Sequence, residues 1–500
     1  MKKSNFNKVL LIGLDGVPLD LIEKWKEELP TIRKLMCFYG ILQSVIPQMS
    51  PTAWVSMITG ADPGEHDIYD FFKKDDYEKK ITTSYGIKTK TIWDYLEKKN
   101  FKSMLIQVPY TYPIKPINGK IIAGSPATYL SENVFYPKKL EKEIMKKIPD
   151  YKIGVDWQNI KNQNEEAFLD DLNKTTESIT KSTQILMKKK WDFLMVVFED
   201  LDRLLHFHWR YMDEKHPLHN KNSKETQKYR DSIKNYFKLL DSCIKKIIKN
   251  VDEKTLIMIV SDHGFGRLIN QVKINNYLEK WKFLKKENAG GSLFFSKIKE
   301  KMITLAYRLG FYNIFKKLPR NFKSKLRDKL IKDKQTEKIL WSKTKAWFDS
   351  FSGQGIRINL KGREPKGIIE KKDYEKIRIN ILKKLNKINY NGKKVIKKIY
   401  KREELYSKKF IADAPDLIPE MENGFLAKGG FSEKFIGEAK QENILISGKH
   451  QRNGMFIIYG KDVKKKKVSA NILDITPTIL NLFNIKKPKN MKGKILDILE

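Results

Sequence analysis

A chain of 500 residues with 40% hydrophobic and 11% aromatic content can bury a large core, which excludes a disordered polymer and a small disulfide-stapled module. Lys+Arg 99 against Asp+Glu 60 gives a formal charge of +39, but the lysines are spread along the whole length, so no specific nucleic-acid partner is expected. No apolar run approaches the roughly 18 residues of a spanning helix. The opening residues lack a signal-peptide pattern, and Cys37 and Cys243 have no partner spacing, so the expected setting is reducing and cytoplasmic.

In chain order, the first element is a short apolar run without alternation at 9–14, which reads as a buried parallel strand and ends in Leu14-Asp15-Gly16. A helix is predicted from Ser50, with Ser50 as N-cap, Pro51 at the first helical position and Gly60 as its stop. A hydroxyl there faces unpaired backbone N–H groups and the positive end of the helix dipole, which suits it to meet a phosphate. A helix at 91–99, a strand at 104–108 and a helix at 165–189 follow. A strand at 193–198 then runs into Glu199-Asp200-Leu201-Asp202. After a helix at 225–249 comes a strand at 256–260, ending in Ser261-Asp262-His263-Gly264. Strand and helix in alternation predict an α/β fold, a mainly parallel sheet sandwiched by helices, whose ligands collect at the carboxyl ends of the strands.

Beyond Gly266 the pattern changes. Residues 267–345 read as a basic helical insertion, and the amphipathic stretch at 290–335 is either a solvated outer face or a docking element for an anionic membrane. Residues 346–440 read as a smaller α+β cap unit. The chain then returns to the core at 441–500 through a polar loop holding His450, a further parallel strand at 455–459, a lysine turn at 464–467 and a helix at 474–483. Residues 1–266 and 441–500 thus form the core, and the parts between them face the substrate.

Three strand ends deliver carboxylates to one sheet edge, a costly gathering without a cation. Asp202 and His206 are one helical turn apart and share a face. Asp262 and His263 are adjacent, so they can share an ion only at a turn, which Gly264 and Gly266 permit. With His450, a loop histidine beside a core strand, the candidate ligands are Asp15, Ser50, Asp202, His206, Asp262, His263 and His450. They form two adjacent mixed sites that suit zinc or manganese better than calcium. Two divalent cations about 4 Å apart clamp the oxygens of an in-line phosphoryl displacement and deprotonate a serine such as Ser50. His208, His216 and His219 read as surface or packing residues.

With those residues in view, the chain resembles the alkaline phosphatase superfamily, and within it the type I phosphodiesterase/nucleotide pyrophosphatase family, nearly end to end. The matching stretches are Leu11 to Gly16, Ser50-Pro51-Thr52-Ala53-Trp54 through Gly60, Pro63-Gly64-Glu65-His66, Asp202 to His206, Ser261 to Gly266, Gly448 to Gly454 and Asp474 to Leu480. The resemblance implies an alkaline-phosphatase-like fold and a phosphate-ester hydrolase working through a covalent phosphoserine. It assigns Asp15, Asp262 and His263 to one metal and Asp202, His206 and His450 to the other. Counting back ten residues from Gly60 gives Ser50 as nucleophile, with Thr52 the lesser candidate. Asp67 and Phe71 replace the family's glycine and phosphate-binding asparagine, which sets nucleotide specificity apart, and Asn490 to Gly493 replaces an acidic turn. His66 reads as structural. A sulfatase signature is absent at Ser50-Pro51-Thr52-Ala53. The expected partner is a small phosphate ester or nucleotide-like molecule. The rivals are a phosphomonoesterase, phosphomutase or phosphotransferase of the same superfamily, and a non-catalytic binder of nucleic acid or anionic membrane with strongly salt-dependent affinity.

Overall fold

The computed structural model describes residues 6–75, 77–128, 131–155, 159–160, 164–249, 251–287, 339–349, 355–441 and 444–500. The basic stretch at 290–335, expected to be an outer helical cap or a membrane-docking element, lies outside them for all its length.

Among the described residues the core is a nine-stranded sheet built from β1 (Lys8–Leu14), β2 (Phe38–Gln43), β3 (Ser103–Val108), β4 (Gly119–Ala123), β5 (Phe135–Tyr136), β6 (Phe193–Phe198), β7 (Thr255–Val260), β16 (Asn453–Tyr459) and β17 (Lys466–Asn471). Their spatial order is β17-β2-β16-β7-β1-β6-β3-β4-β5. The four central strands β7, β1, β6 and β3 are parallel. They are buried on both faces, which is why their sequences read as unbroken apolar runs. Helices pack on the sheet: α1 (Ser50–Thr59), α2 (Glu165–Met187), α3 (Asp200–Met212), α4 (Ser232–Ile248) and α6 (Ile475–Leu482) bury their apolar stripes in the same core. This is the mainly parallel, helix-sandwiched α/β architecture that the alternation of elements predicts.

Four local expectations differ. The run at 455–459 belongs to β16, which is antiparallel to both β2 and β7. It follows β15 (Gly448–Gln451) after Arg452 alone and runs on in the same direction, antiparallel to the chain between 257 and 267, so the chain has already reversed before it re-enters the sheet. Lys466 and Lys467, expected in a turn, begin the edge strand β17, where lysines discourage pairing with another chain. The helix expected at 225–249 is two, Lys224–Tyr229 and α4, the first capped by Ser223 Oγ accepting from Thr226 N at 3.0 Å. Finally, Ser50 is not the N-cap of α1. Met49 takes the extended capping conformation and its carbonyl accepts from Ala53 N at 2.8 Å, so Ser50 enters the first turn with its hydroxyl unused by the helix.

Between the two halves of the core the chain forms a second unit. β8 (Gly264–Lys273) leaves the sheet edge, pairs first with β15, then with β13 (Gly424–Lys428) and β14 (Ile436–Glu438). Beyond it, β9 (Ala346–Asp349), β10 (Gly355–Ile358), β12 (Leu417–Met421) and β11 (Ile396–Lys401) form an antiparallel sheet in the order β9-β10-β12-β11. Ile381 and Leu385 of α5 (Lys371–Leu385) join Ile356, Ile358, Ile396 and Leu417 in its core. Asp416 anchors this unit: its buried carboxylate accepts both guanidinium nitrogens of Arg363 at 2.7 Å, Tyr374 Oη at 2.6 Å and Ile358 N at 2.7 Å.

Candidate active site

β1, β6 and β7 run side by side in one direction, so their carboxyl ends place Asp15, the start of α3 and the Asp262-His263 turn along one edge. Asp262 and His263 fall between β7 and β8, where the chain bends. Ser261 Oγ donates to His263 O at 2.6 Å and accepts from Val17 N at 2.7 Å, which ties the turn to the segment after β1. β8 then pairs with β15, setting His450 opposite Phe265. Close packing brings α1 to the same edge. A Cβ on Gly13 would collide with the Trp54 indole, and this approach lets Trp54 Nε1 donate to Asp15 Oδ2 at 2.8 Å.

The seven candidate residues are therefore brought together. His206 Nε2 lies 3.5 Å from Asp202 Oδ2 and 3.0 Å from His450 Nε2, while His450 Nε2 is 2.9 Å from Asp202 Oδ1. His263 Nε2 lies 3.4 Å from Asp15 Oδ1, 3.3 Å from Asp262 Oδ2 and 4.0 Å from Asp202 Oδ1, so it stands between the two groups. Its ring stacks on His450 at a centroid distance of 3.8 Å. Ser50 Oγ is 3.4 Å from His263 Nε2.

Each imidazole has its other nitrogen on a backbone carbonyl: His206 Nδ1 on Gly448 O at 2.8 Å, His450 Nδ1 on Gln48 O at 3.1 Å and His263 Nδ1 on Gly264 O at 3.1 Å. A carbonyl only accepts, so Nδ1 carries the proton in all three. In the neutral ring the Nε2 lone pair then points at the carboxylates. Asp15 Oδ1, Asp202 Oδ1 and Asp262 Oδ2 are buried with no hydrogen-bond donor. Lone pairs facing orphaned carboxylate oxygens are repulsive unless a cation joins them. The donor atoms of Asp202, His206 and His450 lie within 4.8 Å of one another, as do those of Asp15, Asp262 and His263. Both groups fit a divalent metal, and a histidine whose other nitrogen donates to a carbonyl is a common way to present one.

Electrostatics record the same crowding. Burial, together with the charges of Asp262 and Asp202, pushes Asp15 well above the carboxylate range, and burial raises Asp262 to about 7. Burial would raise Asp202 too, but His206 and His450 outweigh it and hold this carboxyl low. Burial pushes His206 down to about 4 and His263 well below the usual imidazole range. In His450 the nearby Asp202 outweighs burial and raises it.

Asp15, Ser50, Asp202, His206 and His450 open onto a cavity of about 480 Å³, with Asp262 and His263 buried behind them. Thr52 is buried instead, its hydroxyl donating to Tyr69 O at 3.2 Å. His66 is buried between Ser56 Oγ (2.9 Å) and Ile68 N, which donates to its Nδ1 at 3.1 Å. Asp67, at φ 65°, takes the left-handed conformation open to the family's glycine and pairs with Lys73; Phe71 lines the cavity. His208 is a packing residue between Glu165 and Ser232, and His216 and His219 bond the carbonyls of Leu268 and Arg210.

Several residues at the site were not singled out by sequence. Trp54 holds Asp15. Glu199, raised to about 7 by burial, accepts from Ser125 N and Oγ at 3.3 and 3.0 Å on the cavity wall. Buried Lys449 donates to Glu422 O and Phe425 O at 3.1 and 2.6 Å and ties the connection between β12 and β13 to β15. The one available signal was position, since Lys449 and Glu199 flank candidate ligands.

The model of the type I phosphodiesterase/nucleotide pyrophosphatase family matches residues 9–452. No curated protein sequence matches the chain. Among solved structures, murine ectonucleotide pyrophosphatase/phosphodiesterase 5 is similar with a TM-score of 0.54 and 12% identity over 99% of this chain and 100% of that one. The human protein of the same name gives 0.51 and 14% over the same shares. An inactive threonine-to-alanine variant of the murine protein, in complex with AMP, gives 0.54 and 12%, again over 99% and 100%. At these identities the neighbours speak for the fold, and the family match speaks for the chemistry. With its α/β core and its sheet-edge cluster, the chain belongs to the type I phosphodiesterase/nucleotide pyrophosphatase family and is a hydrolase of phosphoric ester bonds.

Proposed function

We propose that the chain cleaves phosphate diesters or pyrophosphates through a phosphoserine formed on Ser50, at a site where Asp15, Asp262 and His263 hold one divalent cation and Asp202, His206 and His450 hold a second. The observation that carries this reading is the set of three histidines with Nδ1 fixed on carbonyls and Nε2 turned to orphaned carboxylate oxygens, with Ser50 Oγ 3.4 Å from one of those nitrogens. The mixed imidazole and carboxylate donors favour zinc or manganese. When bound, such cations supply Lewis-acid stabilisation of the phosphoryl oxygens and lower the pKa of a nearby hydroxyl.

The chain's own residues do the rest. Ser50 Oγ loses its proton and bonds to phosphorus, and the ester oxygen on the far side leaves as an alcohol or phosphate. Water then bonds to phosphorus, the Oγ–P bond breaks and Ser50 regains a proton, releasing a monoester. Ser50 is in the first turn of α1, so the free backbone N–H groups and the dipole of a ten-residue helix face the developing charge. Trp54 keeps Asp15 in place. The unit at 346–440 acts as the substrate-facing cap, because Ile418 to Lys428 supply one wall of the cavity. AMP in the solved murine neighbour supports a nucleotide as one substrate to assay.

Hydrolysis of bis(4-nitrophenyl) phosphate and of 4-nitrophenyl phosphate tests the reading. The diester is the better substrate, Ser50→Ala abolishes its turnover, and chelation followed by dialysis removes activity that two equivalents of zinc or manganese restore. Turnover that survives Ser50→Ala or exhaustive chelation overturns it, and a preference for the monoester moves the reading to the phosphomonoesterase branch.

A further inference from the structure

Granting the phosphoryl-transfer centre at Ser50, on which this inference rests, we propose that the Tyr110 hydroxyl donates a hydrogen bond to a non-ester oxygen of the phosphoryl group that Ser50 takes. The topology puts Tyr110 at the right edge. β4 runs parallel to β3, β3 to β6 and β6 to β1, so the segments after Val108 and after Ala123 emerge along the edge that carries Asp15, Asp202 and the Asp262-His263 turn. Tyr110 and Ser125 lie in those two segments, joined by Tyr110 N donating to Ser125 O at 2.6 Å. Both line the cavity onto which Ser50, Asp15 and Asp202 open.

The local chain holds that side chain in place at a cost. β3 pairs with β4 through a register shift between Ile106 and Val108, and Gln107 at the shift has φ 54°. Bulges beside a site re-aim the residues that follow them. Thr111 Oγ1 donates to Val108 O at 2.6 Å and accepts from Gly124 N at 3.0 Å, which closes the loop around position 110. Tyr110 itself has φ 63°, a left-handed conformation that is unfavourable for a bulky side chain and persists only where its surroundings hold it. Its ring packs with Val55 of α1 and with Ile68, and the residue is only 3% exposed. Yet Tyr110 Oη bonds none of the described residues. A phenol so buried usually finds a partner, and leaving it without one costs stability that a phenylalanine would keep. Burial, then the charges of Asp70 and Glu199, push the phenol well above its ordinary value, so it stays protonated and able to donate. Glu199 stands on the wall of the same cavity, which places the hydroxyl on the side of the site. α1 leaves room for such a donor: Pro51, next to Ser50, has no N–H, so the helix end offers one backbone donor fewer. A neutral hydroxyl supplies one without adding charge to the cluster, keeps its own proton throughout, and acts most strongly where charge develops on the transferred group.

The test compares the wild type with Tyr110→Phe, full chains loaded with zinc or manganese, on methyl 4-nitrophenyl phosphate and methyl phenyl phosphate. Tyr110→Phe should lower kcat and kcat/KM equally, about a hundredfold on both esters, the usual loss for one preorganised donor, with KM, bound metal and circular dichroism unchanged. It should melt no earlier than the wild type, because no hydrogen bond within the chain is lost. Wild-type kcat in Tyr110→Phe overturns the proposal. So does a loss confined to the phenyl ester, which moves the contact to the leaving oxygen, and so does earlier melting with kcat unaltered, the mark of a structural hydroxyl. Calorimetric titration with orthovanadate, whose five-coordinate form resembles the phosphoryl group in transfer, needs no turnover, and the wild type should bind it about a hundredfold more tightly than Tyr110→Phe. That difference in a protein that cleaves neither ester keeps the Tyr110 contact and overturns the catalytic reading. Equal cleavage by the wild type and Tyr110→Phe overturns the Tyr110 contact and keeps the catalytic reading.

Discussion

Gly448→Ala perturbs one half of the candidate site while leaving every ligand in the chain. The carbonyl of Gly448 accepts His206 Nδ1–H at 2.8 Å, and His450 follows two residues later on the same strand. A Cβ at position 448 would lie 2.6 Å from Phe265 Cε1 and closer still to the carbonyl oxygen of Leu205. Neither neighbour gives way easily. Leu205 is backbone inside α3, the helix that presents Asp202 and His206, and Phe265 is wedged against His206, Trp209 and His450 at centroid distances of 4.8, 5.8 and 5.4 Å. Carbon contacts settle at about 3.5–4.0 Å, so β15 has to back away from α3 by roughly 1 Å. Overpacking of this kind costs about 1–3 kcal/mol, small enough against a typical stability of about 5–15 kcal/mol for the chain to stay folded. The same shift separates His450 and the anchor of His206 from Asp202, and a displacement of about 1 Å costs on the order of a hundredfold in rate. Elemental analysis after dialysis should find one cation in place of the two proposed for the wild type, with kcat/KM for bis(4-nitrophenyl) phosphate down about a hundredfold and the circular dichroism unchanged. Two retained cations and a wild-type kcat/KM would refute the reasoning that the β15–α3 contact sets the Asp202, His206 and His450 group.

Thr52→Val removes a buried hydroxyl that donates to Tyr69 O, so denaturant unfolding should show a loss of about 1 kcal/mol with kcat unaltered; a loss of activity like that of Ser50→Ala would move the nucleophile to Thr52. Burial holds His66 at about 3 against an ordinary value of 6.5, so the folded chain stays neutral there while the unfolded chain takes up a proton as pH falls. Stability due to this residue is therefore intact above about 6.5 and declines towards pH 3 by about 1.4 kcal/mol per unit, and His66→Asn should show a shallower acid slope than the wild type in denaturant titrations; parallel slopes would rule this out. Asp416→Asn leaves Arg363 facing an amide in place of a two-pronged carboxylate, and should destabilise the cap by about 3 kcal/mol, seen as earlier melting and faster proteolysis within 346–428; an unchanged calorimetric profile would show that the pair does not anchor the cap.

What could be read before any coordinates was chemistry tied to short spacing. Apolar runs at 9–14, 193–198 and 256–260 are strands because burial on both faces removes the need for alternation, and their ends carry Asp15, Asp202 and the Asp262-His263 pair wherever the strands lie in the sheet. Gly60 at φ 63° ends α1 for a reason visible in one residue, since the left-handed cap costs glycine nothing. Direction was not readable in that way: β16 has the same apolar composition as the parallel strands, and it runs against β7 because β15 and β16 together pair antiparallel with β8 and β7 after the chain has come back from the cap. Nor was the start of α1, because whether residue 49 or 50 caps the helix depends on which of them is extended, and the segment that sets this is tied through Gln48 O to His450, 402 positions away.

The least legible part of the site is what orients it. The partners that fix the three imidazoles are backbone carbonyls of Gln48, Gly264 and Gly448, and every residue has a carbonyl, so no residue type announces the role. Two of those carbonyls lie more than two hundred positions from the histidine they hold, His206 to Gly448 and His450 to Gln48. The same holds for the cavity, where Met421, Phe425 and Leu426 look like ordinary core residues of the smaller unit until the fold sets them in the wall that Ser50 also lines. Candidate ligands are thus legible in short stretches, whereas their protonation state and the cavity wall depend on contacts between segments that are remote in the chain. This is why Gly448→Ala, which changes no ligand, separates these two levels more cleanly than replacing a histidine would.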